Sequence, residues 1–155
     1  MRILATMLAA AAMIGPCAPA AAQDDSNARI LHAVDEFLRG LNERDPSVMA
    51  AVSTEQGMLV AHMVREGGDR VRARSFAEDL ATIGEGEETL REVYWDPTVL
   101  VRGNIAVVWA EYSFDLDGKR SHCGIDVFNL LKIDGAWKVT GIQYTVEPDN
   151  CPKGR

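Results

Sequence analysis

Long apolar runs are absent from this chain of 155 residues. The longest, Ile3 to Ile14, is about twelve residues against the roughly twenty that span a bilayer, so no stretch reads as a membrane-crossing helix. Histidine is scarce, and none of the three histidines stands in His-x-His or His-Glu-x-x-His spacing. No metal site is therefore expected. Positive charge is in deficit: 16 Lys plus Arg against 23 Asp plus Glu give a formal charge of −7, which argues against nucleic acid and anionic lipid as partners. Solubility is the plain role of such acidity. Gly67-Gly68 and Gly84-Glu85-Gly86 make no phosphate-binding fingerprint, and Ser53, Ser75, Ser113 and Ser121 lack a nucleophile-elbow context. No cofactor is expected either. Internal repeats, long linkers and low-complexity segments are missing beyond the first 22 residues.

Those 22 residues have the layout of a bacterial secretory signal peptide. Met1-Arg2 is a short positive start, the apolar run follows, and Ala20-Ala21-Ala22 offers a small-residue cleavage site before Gln23. A retained anchor is disfavoured by the shortness of the run. Acylation of Cys17 is the other alternative, and Pro16 fits it poorly because a small non-proline residue normally precedes a lipidated cysteine. Cleavage removes Arg2, so Lys plus Arg falls from 16 to 15 against 23 acids, a formal charge of −8 on one domain, residues 23–155. The expected location is periplasmic or secreted, without membrane insertion after cleavage. Cys123 and Cys151 remain, and an oxidising compartment favours a disulfide between them over two free thiols.

The folded part opens with helices. Ile30, Val34, Phe37, Leu38 and Leu41 share one helical face, predicting an amphipathic helix over 26–42. Asp45-Pro46 looks like an N-cap and first-turn proline of a short second helix. Residues 57–65 read as a strand ended by Gly67-Gly68, and Ser75-Phe76-Ala77-Glu78 is a capping box opening a third helix to about Ile83. Arg65, Arg70, Arg72 and Arg74, interleaved with Glu66 and Asp69, read as a solvated edge and loop rather than an anion site. Thr89 to Tyr94 and Thr98 to Arg102 are strand candidates interrupted by Asp96-Pro97. Two Asp-Gly turns, Asp117-Gly118 and Asp134-Gly135, then divide residues 104–146 into three long runs rich in Val, Ile, Trp, Tyr and Phe. Glycine accepts the positive φ that a tight hairpin requires, so the last third is an antiparallel meander.

Helices followed by a bent sheet that carries Trp109-Ala110-Glu111-Tyr112-Ser113-Phe114, Asp117-Gly118-Lys119, His122 to Phe128 and Asp134-Gly135-Ala136-Trp137-Lys138-Val139 resemble the nuclear transport factor 2-like superfamily, SnoaL-like members included. The nearest subgroup is a bacterial one labelled lumazine-binding. The resemblance covers residues 26–147 and implies an α+β cone-shaped barrel, N-terminal helices packed on a strongly curved antiparallel sheet around an internal pocket, and frequent homodimers. It implies no single activity, because the superfamily spans isomerases, dehydratases, epoxide hydrolases and non-catalytic carriers.

With two-residue turns at both Asp-Gly sites, residue 109 lies opposite 126 and 126 opposite 143. One face then carries Trp109, Glu111, His122, Asp126, Phe128, Trp137 and Gln143, aromatics mixed with polar groups, while Val108, Tyr112, Phe114, Ile125, Val127, Ile142 and Tyr144 form the other. The expected pocket is therefore Trp109, Asp126, Phe128, Trp137 and Gln143, with His62 added from the early strand. A bulge would exchange the assignment locally. Asp126, His122 and Glu111 are the candidate catalytic residues, because His122 and Asp126 are two steps apart along the same strand face, where a carboxylate and an imidazole could share a proton, with Glu111 on the neighbouring strand; a structural polar network is the plainer alternative. The expected protein is an exported binder of a small, partly apolar molecule. A cofactor-independent isomerase or hydrolase, and a dimerisation or interaction module with a solidly packed cone, are the alternatives.

Overall fold

The computed structural model describes residues 20–149 and 151–152; the apolar run Ile3 to Ile14, on which the signal-peptide expectation rests, and Cys17 lie outside them. Helix α1, Ala20–Glu43, lays Ile30, Val34, Phe37 and Leu38 into the core. Its outer face is laced by Arg39, which bonds Glu36 and Glu43 at 2.7 and 2.8 Å. Helix α2, Pro46–Ala51, starts as its sequence requires: the Asp45 carboxylate accepts from the amides of Ser47 and Val48, and Pro46 occupies the first turn, where no amide is missed. Strand β1, Ser53–Met63, and edge strand β2, Arg70–Ser75, form a hairpin. Ser75 then caps α3, Phe76–Thr82: its amide donates to Glu78 Oε2 at 2.7 Å while the Glu78 amide donates back to Ser75 Oγ at 3.2 Å.

Strand β3, Leu90–Arg102, is continuous in pairing except for a shift at Asp96-Pro97, where Asp96 has φ of 49°. The interruption read from the sequence is thus a bulge within one strand. Strands β4, Ile105–Leu116, β5, Lys119–Ile133, and β6, Ala136–Val146, are the meander. Both Asp-Gly turns have positive φ at both residues, 50° and 73°, then 49° and 84°.

The six strands run β2-β1-β6-β5-β4-β3 in one sheet. All neighbours are antiparallel except β1 and β6, which pair in parallel. That is the departure from an all-antiparallel sheet: the connection through α3 carries the chain from edge β2 to the opposite edge β3, and the meander then works back to set β6 beside β1. The helices cover one face, where Ile30, Val34 and Phe37 pack with Val108, Phe128, Leu130, Val139 and Ile142. Gly57 lets β1 pass under the Phe76 ring, for a Cβ there would lie inside the ring's van der Waals envelope.

The Cys123–Cys151 disulfide closes the C-terminal end, with Cα atoms 5.4 Å apart. Reciprocal backbone hydrogen bonds between Cys123 and Glu147 extend the sheet to the point where the tail turns back.

Candidate ligand cavity

Two one-residue bulges decide what faces the helices. In β5 the pairing passes from Asp115↔Arg120 to Phe114↔His122, skipping Ser121. In β6 it passes from Leu130↔Val139 to Asn129↔Gly141, skipping Thr140. Each bulge displaces the register by one, so Trp109 pairs with Val127 rather than Asp126, and Gln143 with Val127. His122, Asp126, Phe128 and Trp137 stay on the helix side, as the simple register had them. Trp109, Glu111 and Gln143 move to the opposite face, while Val108, Tyr112, Phe114, Ile142 and Tyr144 come inside. Trp109 is 42% exposed, and Glu111 accepts a 3.0 Å bond from Trp95 Nε1 there. His62 also faces outward, 3.2 Å from Asp69, beside Gln143 and Val71 in a shallow groove. Phe128 and Trp137 are buried in the core, Phe128 meeting Phe37 edge-on at 6.5 Å.

The inner face is not packed solid. A cavity of about 460 Å³ opens between α1, α3 and the sheet, with apolar walls from Phe37, Leu41, Leu59, Leu90, Phe114 and Ile142. That is the size and character of small-molecule sites. Of the sequence-selected residues, Asp126 and His122 line it.

Asp126 pairs with Glu92 of β3 rather than with His122. Asp126 is only 3% exposed, and its Oδ2 has no conventional donor among the described residues. Its carboxyl hydrogen-bonds the Glu92 carboxyl, which two carboxylates can do only by holding a proton between them. Burial pushes Glu92 up to about 8, moderated by its bond to Asp126 and reinforced by the charge of Asp79. Burial, with the Glu92 charge added, holds Asp126 well above the usual carboxylate range. Glu92 itself is pinned by Asn42 of α1, whose Oδ1 accepts from the Glu92 amide at 2.6 Å and whose Nδ2 donates to its carbonyl at 2.9 Å.

The other polar groups around the pair are already engaged. Arg74 Nε donates to Asp79 Oδ1 at 2.5 Å, joining β2 to α3 across the cavity rim. Arg74 is therefore not part of the solvated edge expected for that run of arginines. Arg44 reaches Glu88 at 2.9 Å and the carbonyls of Ile83 and Glu88. Burial lowers the His122 imidazole below its ordinary pKa; the ring stacks on Phe114 at 5.1 Å and its Nδ1 lies 3.0 Å from Ser121 Oγ. Tyr112 donates its hydroxyl to the Thr145 carbonyl at 2.7 Å. Burial raises its pKa, and the acids Asp126 and Glu92 add to that.

Glu92, Arg74 and Asp79 were not selected from the sequence. Glu92 was visible in principle: it alternates with Leu90 and Tyr94, two residues that belong indoors, so period-two reading of the strand places an acid on the inner face. Asp79 sits on an amphipathic turn after a cap, where nothing but the packing of α3 against the sheet turns it inward. Among the described residues no group of three or more His, Cys, Asp or Glu is placed to hold a metal ion.

Solved structures similar to this one share its architecture along most of the chain. A nuclear transport factor 2-like superfamily protein from Salmonella enterica serovar Typhimurium aligns over 88% of this chain and 99% of its own, at 16% identity and TM-score 0.59. A protein of unknown function from Mycobacterium tuberculosis aligns over 86% of this chain and 78% of its own, at 18% identity and TM-score 0.69. A nuclear transport factor 2-like protein from Cytophaga hutchinsonii aligns over 80% and 98%, at 17% identity and TM-score 0.63. No protein-family model and no curated protein matches the sequence. At such identities the likeness is one of architecture, and on it this chain has the nuclear transport factor 2-like fold.

Proposed function

We propose that this protein binds a small, partly apolar molecule in the cavity between the helices and the sheet, in an exported setting. The observation that carries the reading is the cavity itself: apolar walls on most sides and one carboxyl pair, Asp126 buried and Glu92 half-buried, that can orient a guest. Apolar burial would supply affinity, and the pair would select among guests by hydrogen bonding. The signal-like N-terminal segment and the disulfide support export, since both belong to an oxidising compartment. The outward face, with exposed Trp109 flanked by half-buried Val107 and Val127, supports self-association as a homodimer.

Native mass spectrometry of protein isolated from its own periplasm or medium tests the binding reading. A bound small molecule that disappears in a Val146→Trp variant, which fills the rim of the cavity, is the expected result. An unoccupied protein that gains no ligand from an extract of its own cells would refute it.

A second reading, a cofactor-independent isomerase or hydrolase, draws on one observation. The Glu92 carboxyl at about 8 is poised near neutral pH beside a second carboxyl that burial also shifts upwards, which is what a general acid and base pair requires. Under that reading Glu92→Gln abolishes turnover and spares binding; under pure binding it changes selectivity alone. Glu111, on the other face of the sheet, drops out of the proton-transfer set.

A further inference from the structure

We infer that the guest of this cavity is a small monocationic amine with an apolar body, its ammonium group seated on the Glu92–Asp126 carboxyl pair. The inference rests on the ligand-binding reading above and sharpens it to a chemical class. Every other charged group facing the pair already has its counterpart: Arg44, at the end of α1, is matched to Glu88, and Arg74 on β2 to Asp79 on α3. Tyr112 on β4 spends its hydroxyl on the Thr145 carbonyl, Tyr144 on β6 lies against Arg74, and His122 on β5 is held towards its neutral form by burial. Among the described residues lining the cavity, the pair is thus the one acidic feature that no cation matches.

An ammonium group would bring three donors to the two carboxyls that line the cavity. A carboxylate guest would instead set a third acid against the pair, and an alcohol offers one donor and no charge. Phe37 and Phe114 supply walls for the apolar body and aromatic faces that tolerate a cation.

The reading has a proton signature. Because burial holds Glu92 up to about 8 and raises Asp126 in the same direction, the vacant pair holds on to protons at pH values where ordinary carboxyls have lost them. Seating an ammonium ion leaves one shared proton and expels the other to solvent. Affinity for the ammonium form should then rise about tenfold per pH unit towards pH 8 and level off there.

The test uses three isosteric probes, 1-naphthylmethylamine, 1-naphthalenemethanol and 1-naphthoate, titrated calorimetrically into the mature protein. The expected result at pH 8 is an amine bound about tenfold or more tighter than the alcohol, with the naphthoate weakest. At pH 7, titration in two buffers of different ionisation enthalpy should show about one proton released per amine. The Glu92→Gln, Asp126→Asn double variant should bind amine and alcohol alike. Equal binding of amine and alcohol by the unmodified protein, or preference for the naphthoate, would overturn the amine assignment and leave the binding reading standing. Failure of all three probes together with an empty native mass spectrum would bring down both. The proton release and the pH slope are measured on the unmodified chain, so they decide the matter even if the double variant fails to fold.

Discussion

Raising the pH from 5.5 to 8 should weaken the fold through Glu92 by about 3 kcal/mol. In the unfolded chain this carboxyl has its ordinary pKa of 4.5, and in the folded protein it sits at about 8. A folded pKa above the unfolded one contributes stability that is complete below the unfolded value and is lost as pH rises through the folded value. Across the stated window the unfolded state is already ionised while the native state gives up its proton only near the top. The full gap is worth about 5 kcal/mol, of which about 3 falls inside the window. Asp126, shifted in the same direction, adds to the slope. The surface carboxyls of Glu36, Asp45, Glu78 and Asp115 are shifted downwards by their partners, so they lose their contribution only in more acid solution and stay silent here. His122, lowered by burial, works the other way: its contribution is present above the ordinary histidine pKa and is lost as pH falls, so it partly offsets the gain at the acid end. The comparison that isolates the carboxyl is therefore unmodified protein against Glu92→Gln at each pH, by urea denaturation with the disulfide intact. The variant should be the more stable at pH 8, and its curve should be flatter by about 3 kcal/mol, on the order of 10 °C in thermal midpoint. The double variant with Asp126→Asn should be flatter still. Parallel pH profiles for the unmodified protein and Glu92→Gln would refute the buried, proton-sharing pair.

Cys151→Ser should leave a folded protein less stable by about 3 to 4 kcal/mol in the chain-entropy account, measured by urea denaturation without reductant. Gly57→Ala should cost about 2 kcal/mol in the same assay, because the added methyl meets the Phe76 ring and either β1 or the ring must yield. Tyr112→Phe should cost about 1 kcal/mol by orphaning the Thr145 carbonyl, an effect that a neutral outcome would contradict. Exported protein should begin at Gln23 by intact mass, and a retained leader or a diacylglycerol on Cys17 would defeat that expectation.

Local rules were enough for the helices and the meander, though not for β2, whose residues Arg70 to Arg74 read as edge and loop. The spacing of Ile30, Val34, Phe37, Leu38 and Leu41 determined α1, Asp45-Pro46 and the Ser75–Glu78 box determined where α2 and α3 begin, and two Asp-Gly pairs determined the hairpins, because each signal acts within a few residues of the structure it specifies. Their order carried the fold class as well. The candidate site obeyed a different logic. Side chains alternate with period two, so a single extra residue reverses a face, and the bulges at Ser121 and Thr140 moved Trp109, Glu111 and Gln143 outside while bringing Tyr112, Phe114 and Tyr144 in. A bulge is set by how strongly the whole sheet must curve around its helices, which no window of sequence records. Glu92 and Asp126 lie 34 positions apart on strands that are not neighbours. Only that curvature closes the distance, and only the burial it creates makes the two carboxyls share a proton.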